Sequence, residues 1–216
     1  GGFHHASRGP KSEKMEDRLK EYKDWGNCTV SDQGIATLRA YQRYNKKNIL
    51  LVDLDAHQGN GNAYVFGQLR ERHKDLNAHI FDMYNSESSC SYPYDQHEVA
   101  AAGLIKYRHA LKRWAEGKEY LNTLRRELPK AIKEMNAEFI IYNAGTDPLK
   151  GDPEGLMNLS REEMVERDEI VFKLAKENNV PIISATSGGY TKGSSGLIAD
   201  SIINLFNKGI ITTNKK

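Results

Sequence analysis

Only two cysteines, Cys28 and Cys90, occur in the 216 residues. They make no disulfide framework and no zinc-finger spacing, so free thiols in a reducing compartment, nucleus or cytoplasm, are expected. No apolar run approaches the ~18 residues that a membrane span needs. Gly1 to Ser12 also lacks the apolar centre of a signal peptide. Neither sign of charge is in excess, with 31 Lys and Arg against 29 Asp and Glu. That balance argues against direct nucleic-acid binding. An initiator methionine is missing too. The opening Gly1-Gly2-Phe3-His4-His5-Ala6 reads as the interior of a longer fold, whether a fragment, a processed product or an incomplete gene model. The length fits one domain, residues 1–216, with a substantial core.

Four β-rich apolar runs alternate with helical patterns: Ile49–Val52, His79–Met83, Phe139–Tyr142 and Val180–Ala185. A helix from about Ser31 to Tyr44 carries Ile35, Leu38 and Tyr41 on one face, and Tyr41 and Tyr44 are core candidates. Leu121, Leu124, Leu128, Ile132 and Met135 repeat at helical spacing before the third strand. Ser160-Arg-Glu-Glu163 is a capping box opening a helix that turns Met164, Val171 and Leu174 inward. Another helix runs near Leu197 to Phe206. Strands alternating with helices predict an α/β fold, three αβα layers around a mostly parallel sheet. Ser7–Gly26 reads as a short solvated helix and Asn85–Glu98 as a surface loop. His73, His79, His97 and His109 match no motif and read as surface or packing residues.

Chemistry concentrates where strands end. Ile49–Val52 runs into Asp53-Leu-Asp55-Ala-His57, whose alternate residues share one face of an extended chain. Burying two carboxylates and an imidazole unpaired is costly, and a divalent cation, zinc or ferrous iron, removes that cost. Solvated acids at a strand-end turn are the plain alternative. The third strand ends in Asn143-Ala-Gly-Thr-Asp147 and the fourth in Ser187-Gly188-Gly189-Tyr190. In open α/β sheets, ligands collect outside the carboxyl ends of strands, so the three strand ends point to one site.

Taken together, Gly2-Phe3-His4-His5-Ala6, Asp53-Leu-Asp55-Ala-His57-Gln-Gly-Asn60-Gly61, Asn143-Ala-Gly-Thr-Asp147 and Gly188-Gly189-Tyr190 resemble the zinc-dependent histone deacetylase family on the arginase/deacetylase fold. Asn60 and the Thr186-Ser187-Gly-Gly-Tyr190 form look most like its class IV branch. The resemblance implies zinc on Asp55, His57 and Asp147, and a possible monovalent cation such as K+ around Asp53 to His57. It implies catalytic roles for His4, His5 and Tyr190, with Asp53 and Asn60 behind the histidines. Acyl-lysine proteins such as histone tails would be substrates, and co-repressor proteins partners. Arginase-like relatives instead bind two manganese ions, but Gly59 stands where a bridging carboxylate would be needed, which favours one ion.

Departures from the pattern carry expectations of their own. The family domain has a substantial portion ahead of the tandem histidines; without it, a sheet edge or core face would be uncovered and the chain unstable or inactive alone. Asn27 replaces the aromatic wall of the acyl-lysine tunnel, with Tyr92 the candidate opposite wall. Gly188 and Gly189 are counted with them as substrate-binding positions. Glu154 sits where an acid marks acetylpolyamine deacetylases, so polycationic substrates compete with an inert loop acid as its explanation. A non-catalytic partner-binding module is the rival from another class.

Overall fold

Ile49 and Leu51 of strand β1 (Asn48–Asp53) face one hydrophobic cluster, while Leu50 and Val52 face another. An unbroken apolar run is what a strand covered on both sides requires. The computed structural model describes residues 2–6, 28, 30–86 and 101–213. Within them, α1 (Asp32–Tyr44) precedes β1, α2 (Asn60–Arg72) follows it, and β2 (Asn77–Asn85) comes next. The order then runs β3 (Tyr107–Leu111), α3 (Gly117–Met135), β4 (Phe139–Ala144), α4 (Arg161–Glu177), β5 (Ile182–Thr186) and α5 (Ser194–Asn207).

The sheet is parallel in order β3-β2-β1-β4-β5. Ala40 of α1 and Phe66 and Leu69 of α2 pack on Ile49, Leu51, Ile80 and Ile141. On the other face, Leu121, Leu124, Leu128, Ile132 and Met135 of α3 are all buried, with Met164 and Val171 of α4. Helices on both faces give the three layers expected. The chain builds outward from β1 to β3, then returns to the opposite side of β1 for β4. The switch point lies between β1 and β4, and a ligand crevice is expected beyond their carboxyl ends.

Several local expectations need correction. Of the face expected on helix α1, Leu38 packs partly on the core, but Ile35 is 55% exposed, and the fully buried positions are Gln33, Gly34, Thr37 and Ala40. Tyr44 is 70% exposed rather than core, whereas Tyr41 packs partly and donates its hydroxyl to Asp75. Helix α2 and strand β3 carry no apolar stripe that periodicity detects. β3 is an edge strand with alternating exposure, and its His109 packs against Phe81 at 4.9 Å. Strand β5 starts at Ile182, two residues later than expected, and Ile183 is 45% exposed. The capping box at Ser160 forms as read. Residues 7–26, and 87–98 of the second segment, lie outside the described residues, as do Cys90 and His97. Among the described residues, no helix is long and apolar enough to cross a membrane.

Candidate metal centre

After Asp53 the chain leaves the sheet, and Asp55 and His57 turn toward the end of β4. There Asp147 is reached three residues beyond the last strand residue, Ala144. All three side chains are buried. His57 Nδ1 lies 3.0 Å from Asp55 Oδ1 and 3.0 Å from Asp147 Oδ2. One ligand atom from each residue falls within 4.8 Å of the others, and no other such group of three occurs among the described residues. Donors around a tetrahedral ion bonded at ~2.0 Å stand ~3.3 Å apart, so this set fits a small divalent cation.

The electrostatics point the same way. Asp147 Oδ1 accepts from Ala56 N at 2.9 Å, whereas its buried Oδ2 has only the close charge contact with His57 Nδ1. Burial and the adjacent Asp55 charge push the Asp147 carboxyl up from the ordinary range. Burial would lower His57, yet the Asp147 and Asp55 carboxylates against its Nδ1 outweigh that and lift it to about 10. Burial would raise Asp55, but the His4 and His57 charges hold it well below normal. Two buried carboxylates thus crowd one basic nitrogen, which is the situation a dication relieves. Gly188 is part of the enclosure. Its N–H donates to Asp55 Oδ2 at 2.8 Å, and a Cβ there would strike Asp147 Oδ2. At Gly59, a Cβ would stand 2.5 Å from Asp53 Oδ2, leaving no room for a second bridging acid.

His4 and His5 lie beside this group with their rings tilted at 44° and centroids 4.0 Å apart. His4 Nδ1 lies 2.9 Å from Asp53 Oδ2, and His5 Nδ1 lies 2.7 Å from Asn60 Oδ1. The two rings diverge electrostatically. Burial would lower His4, but Asp53 and Asp55 raise it well above normal. For His5, burial and the His4 and His57 charges act together and drive it well below. Gly61 permits the approach: a Cβ there would lie 2.3–2.6 Å from the His5 and Ala6 backbone.

Sequence reasoning missed the residues that hold this pair. Asp32 receives Gly2 N at 2.7 Å and Phe3 N at 2.9 Å, fixing the segment that carries the histidines. Gln33 donates to Asn143 Oδ1 at 2.5 Å, and Asn143 donates to Asp53 Oδ1 at 2.8 Å. Asn62 donates to Gln33 Oε1 and receives the Ser31 hydroxyl at 2.9 Å. The only available signal was polar residues recurring on the inner face of a helix.

Tyr190 is 52% exposed, and its N–H donates to Asp152 Oδ2 at 2.8 Å. Partial burial and the Asp55 and Asp147 charges push its phenol up. Buried Asp152 also accepts from Glu154 N and Gly155 N, tying the exposed Glu154 loop to Tyr190. Gly189 follows Gly188 into that turn. Asn27 and Tyr92 lie outside the described residues.

Residues 1–206 match the family described as Histone deacetylase domain. The chain is 38% identical to histone deacetylase 2 of Arabidopsis thaliana over 99% of its own length and 49% of that protein. It is 26% identical to polyamine deacetylase HDAC10 of Mus musculus over 76% of this chain and 24% of that one. The HDA15 HD domain superposes with a TM-score of 0.70 at 21% identity, covering 98% of this chain and 55% of that one. An acetylpolyamine aminohydrolase from Burkholderia pseudomallei gives 0.67 at 18% identity, over 84% and 51%. The chain therefore spans about half the length of the Arabidopsis protein and of the two solved chains.

Proposed function

The chain belongs to the histone deacetylase domain family, and we propose that it hydrolyses N-acyl-lysine in histones or other proteins with the help of zinc. The observation that carries this is the convergence of Asp55, His57 and Asp147 donor atoms within 4.8 Å, beside a histidine held neutral. Those three residues would hold the metal. When bound, zinc polarises the acyl carbonyl and acidifies the attacking water.

The chain's own residues supply the proton traffic. Asn60 Oδ1 can only accept, so the proton of neutral His5 sits on Nδ1 and Nε2 is the basic nitrogen. His5 takes a proton from the attacking water and returns it to the lysine amine as the C–N bond breaks. His4, held protonated by Asp53, supplies a fixed positive charge toward the oxyanion that develops on the carbonyl oxygen. Tyr190 donates its phenolic proton in a hydrogen bond to the carbonyl oxygen. The products are a carboxylate and free lysine. Asn60 at this position supports assignment to the class IV branch. Asp82 supports a monovalent cation beside Asp53, because its Oδ1 is buried without a hydrogen bond and burial, with Asp53 nearby, pushes its carboxyl up.

The test is release of acetate from an acetyl-lysine peptide, lost on chelation and restored by one equivalent of zinc. Chelator-insensitive release, or none from the longest natural form of the chain, would overturn the proposal. A second reading, acetylpolyamine hydrolysis, is favoured by exposed Glu154 on the loop that Asp152 ties to Tyr190. Glu154→Leu should then lower kcat/KM for acetylspermidine more than for the peptide. An unchanged ratio defeats that reading.

A further inference from the structure

Arg167 lies on α4, in the layer beneath the metal centre, and is 1% exposed. Fully buried arginine is rare unless it is paired. Here one nitrogen, Nη1, donates to two carbonyls: Leu54 O at 3.1 Å and Gly145 O at 2.7 Å. Leu54 immediately precedes Asp55 at the end of β1, and Gly145 stands two residues before Asp147 at the end of β4. The other edge of the guanidinium is fixed by Asp168 Oδ1, from Nε at 2.9 Å and Nη2 at 2.8 Å. The same oxygen accepts the Tyr142 hydroxyl from the middle of β4.

From this geometry we infer that Arg167 is a positioning residue for the metal centre: it clamps together the two strand ends that carry the ligands. Adjacent parallel strands share ladder hydrogen bonds only as far as they remain strands. Beyond Asp53 and Ala144 the chains turn out of the sheet, and something else must set their separation. A backbone bond, Leu54 N to Asn143 O at 3.1 Å, and a side-chain bond, Ala56 N to Asp147 Oδ1, cross the gap above. Arg167 crosses it from below. The rigid planar fork matters, because it engages both carbonyls and Asp168 at once. A lysine ammonium is a single point and cannot keep that span. The inference rests on the reading of Asp55, His57 and Asp147 as metal ligands, and extends it to what keeps them in register.

Two readouts on Arg167→Lys separate the clamp from a merely structural charge. Titration of the metal-free chain with cobalt should show affinity reduced on the order of 10-fold, with an altered visible absorption band, since outer supports of a site tune its geometry. Hydrogen exchange of the metal-free chain should accelerate at the amides of residues 54–57 and 145–147 while those of α5 stay protected. Wild-type affinity, spectrum and exchange in a folded Arg167→Lys chain would overturn the inference. Should that variant not fold, the triple change Arg167→Met, Asp168→Leu and Tyr142→Phe removes the charged pair and its dependent hydroxyl together, a replacement that buried ion pairs tolerate. The same losses are expected of it, and unchanged cobalt binding refutes the clamp. Failure of the wild type to take up cobalt contradicts the metal reading instead, and the exchange pattern still decides whether Arg167 ties the strand ends.

Discussion

His5 Nδ1 faces Asn60 Oδ1 at 2.7 Å, an amide where the neighbouring His4 has a carboxylate, Asp53 Oδ2, at 2.9 Å. Two adjacent imidazoles are thereby given opposite protonation preferences. Asp53 keeps His4 charged, while burial and the charge on His4 keep His5 neutral. One can serve as a fixed cation and the other as a base.

The identity of residue 60 should therefore set the pH profile. Because the base is depressed below the usual histidine range, the acid limb of kcat/KM should lie below pH ~6.5. Asn60→Asp places a negative charge on Nδ1–H, favours the imidazolium and should move that limb upward by about one unit. A limb that stays in place would separate His5 from the rate-limiting proton transfer.

Loss of the acid–base and oxyanion groups should be separable from loss of metal. His5→Ala and Tyr190→Phe are expected to bind zinc as the wild type does while losing on the order of 10²–10⁴ in kcat. Calorimetric zinc titration beside a peptide assay checks the division. Parallel loss of zinc from either variant would contradict the roles assigned.

Legibility varied with how much the packing relied on apolar side chains. Strand β1 and its Asp55 and His57 stood out because both faces of Ile49–Val52 are buried, so the run is continuous and its end abrupt. Residues 117–135 showed their buried leucines at helical spacing for the same reason. Helix α1 is legible only in part: Leu38 and Tyr41 pack against the core, but the fully buried positions Gln33 and Thr37 serve a polar network and Ile35 is exposed. Helix α2 begins Asn60-Gly-Asn62 and faces the histidine segment with amides, so no hydrophobic stripe announces it. Arg167 and Asp32 belong to residue types that composition assigns to solvent, and only their partners reveal them.

Acid should weaken the fold through His79. Burial, with the Arg70 and Lys106 charges, depresses this half-buried ring from 6.5 to about 4. The unfolded chain then binds more protons than the folded one between those values, so stability holds above pH ~6.5 and is lost as pH falls toward 4. After allowance for solvent screening the loss is on the order of 1–2 kcal/mol. His79→Gln should flatten the slope of denaturation free energy against pH in that window. An identical slope would place the acid sensitivity elsewhere.

The core facing α3 offers a control away from the site. Leu128 is fully buried in the cluster beneath the sheet. Leu128→Ala should cost about 2–5 kcal/mol in urea denaturation without changing zinc stoichiometry in the folded fraction.

The most direct measurement is metal content after dialysis against zinc. The account predicts one equivalent per wild-type chain, and none above background in a folded Asp147→Asn or His57→Ala chain. A wild type that retains no zinc, or ligand variants that retain a full equivalent, would contradict the claim that Asp55, His57 and Asp147 share one ion.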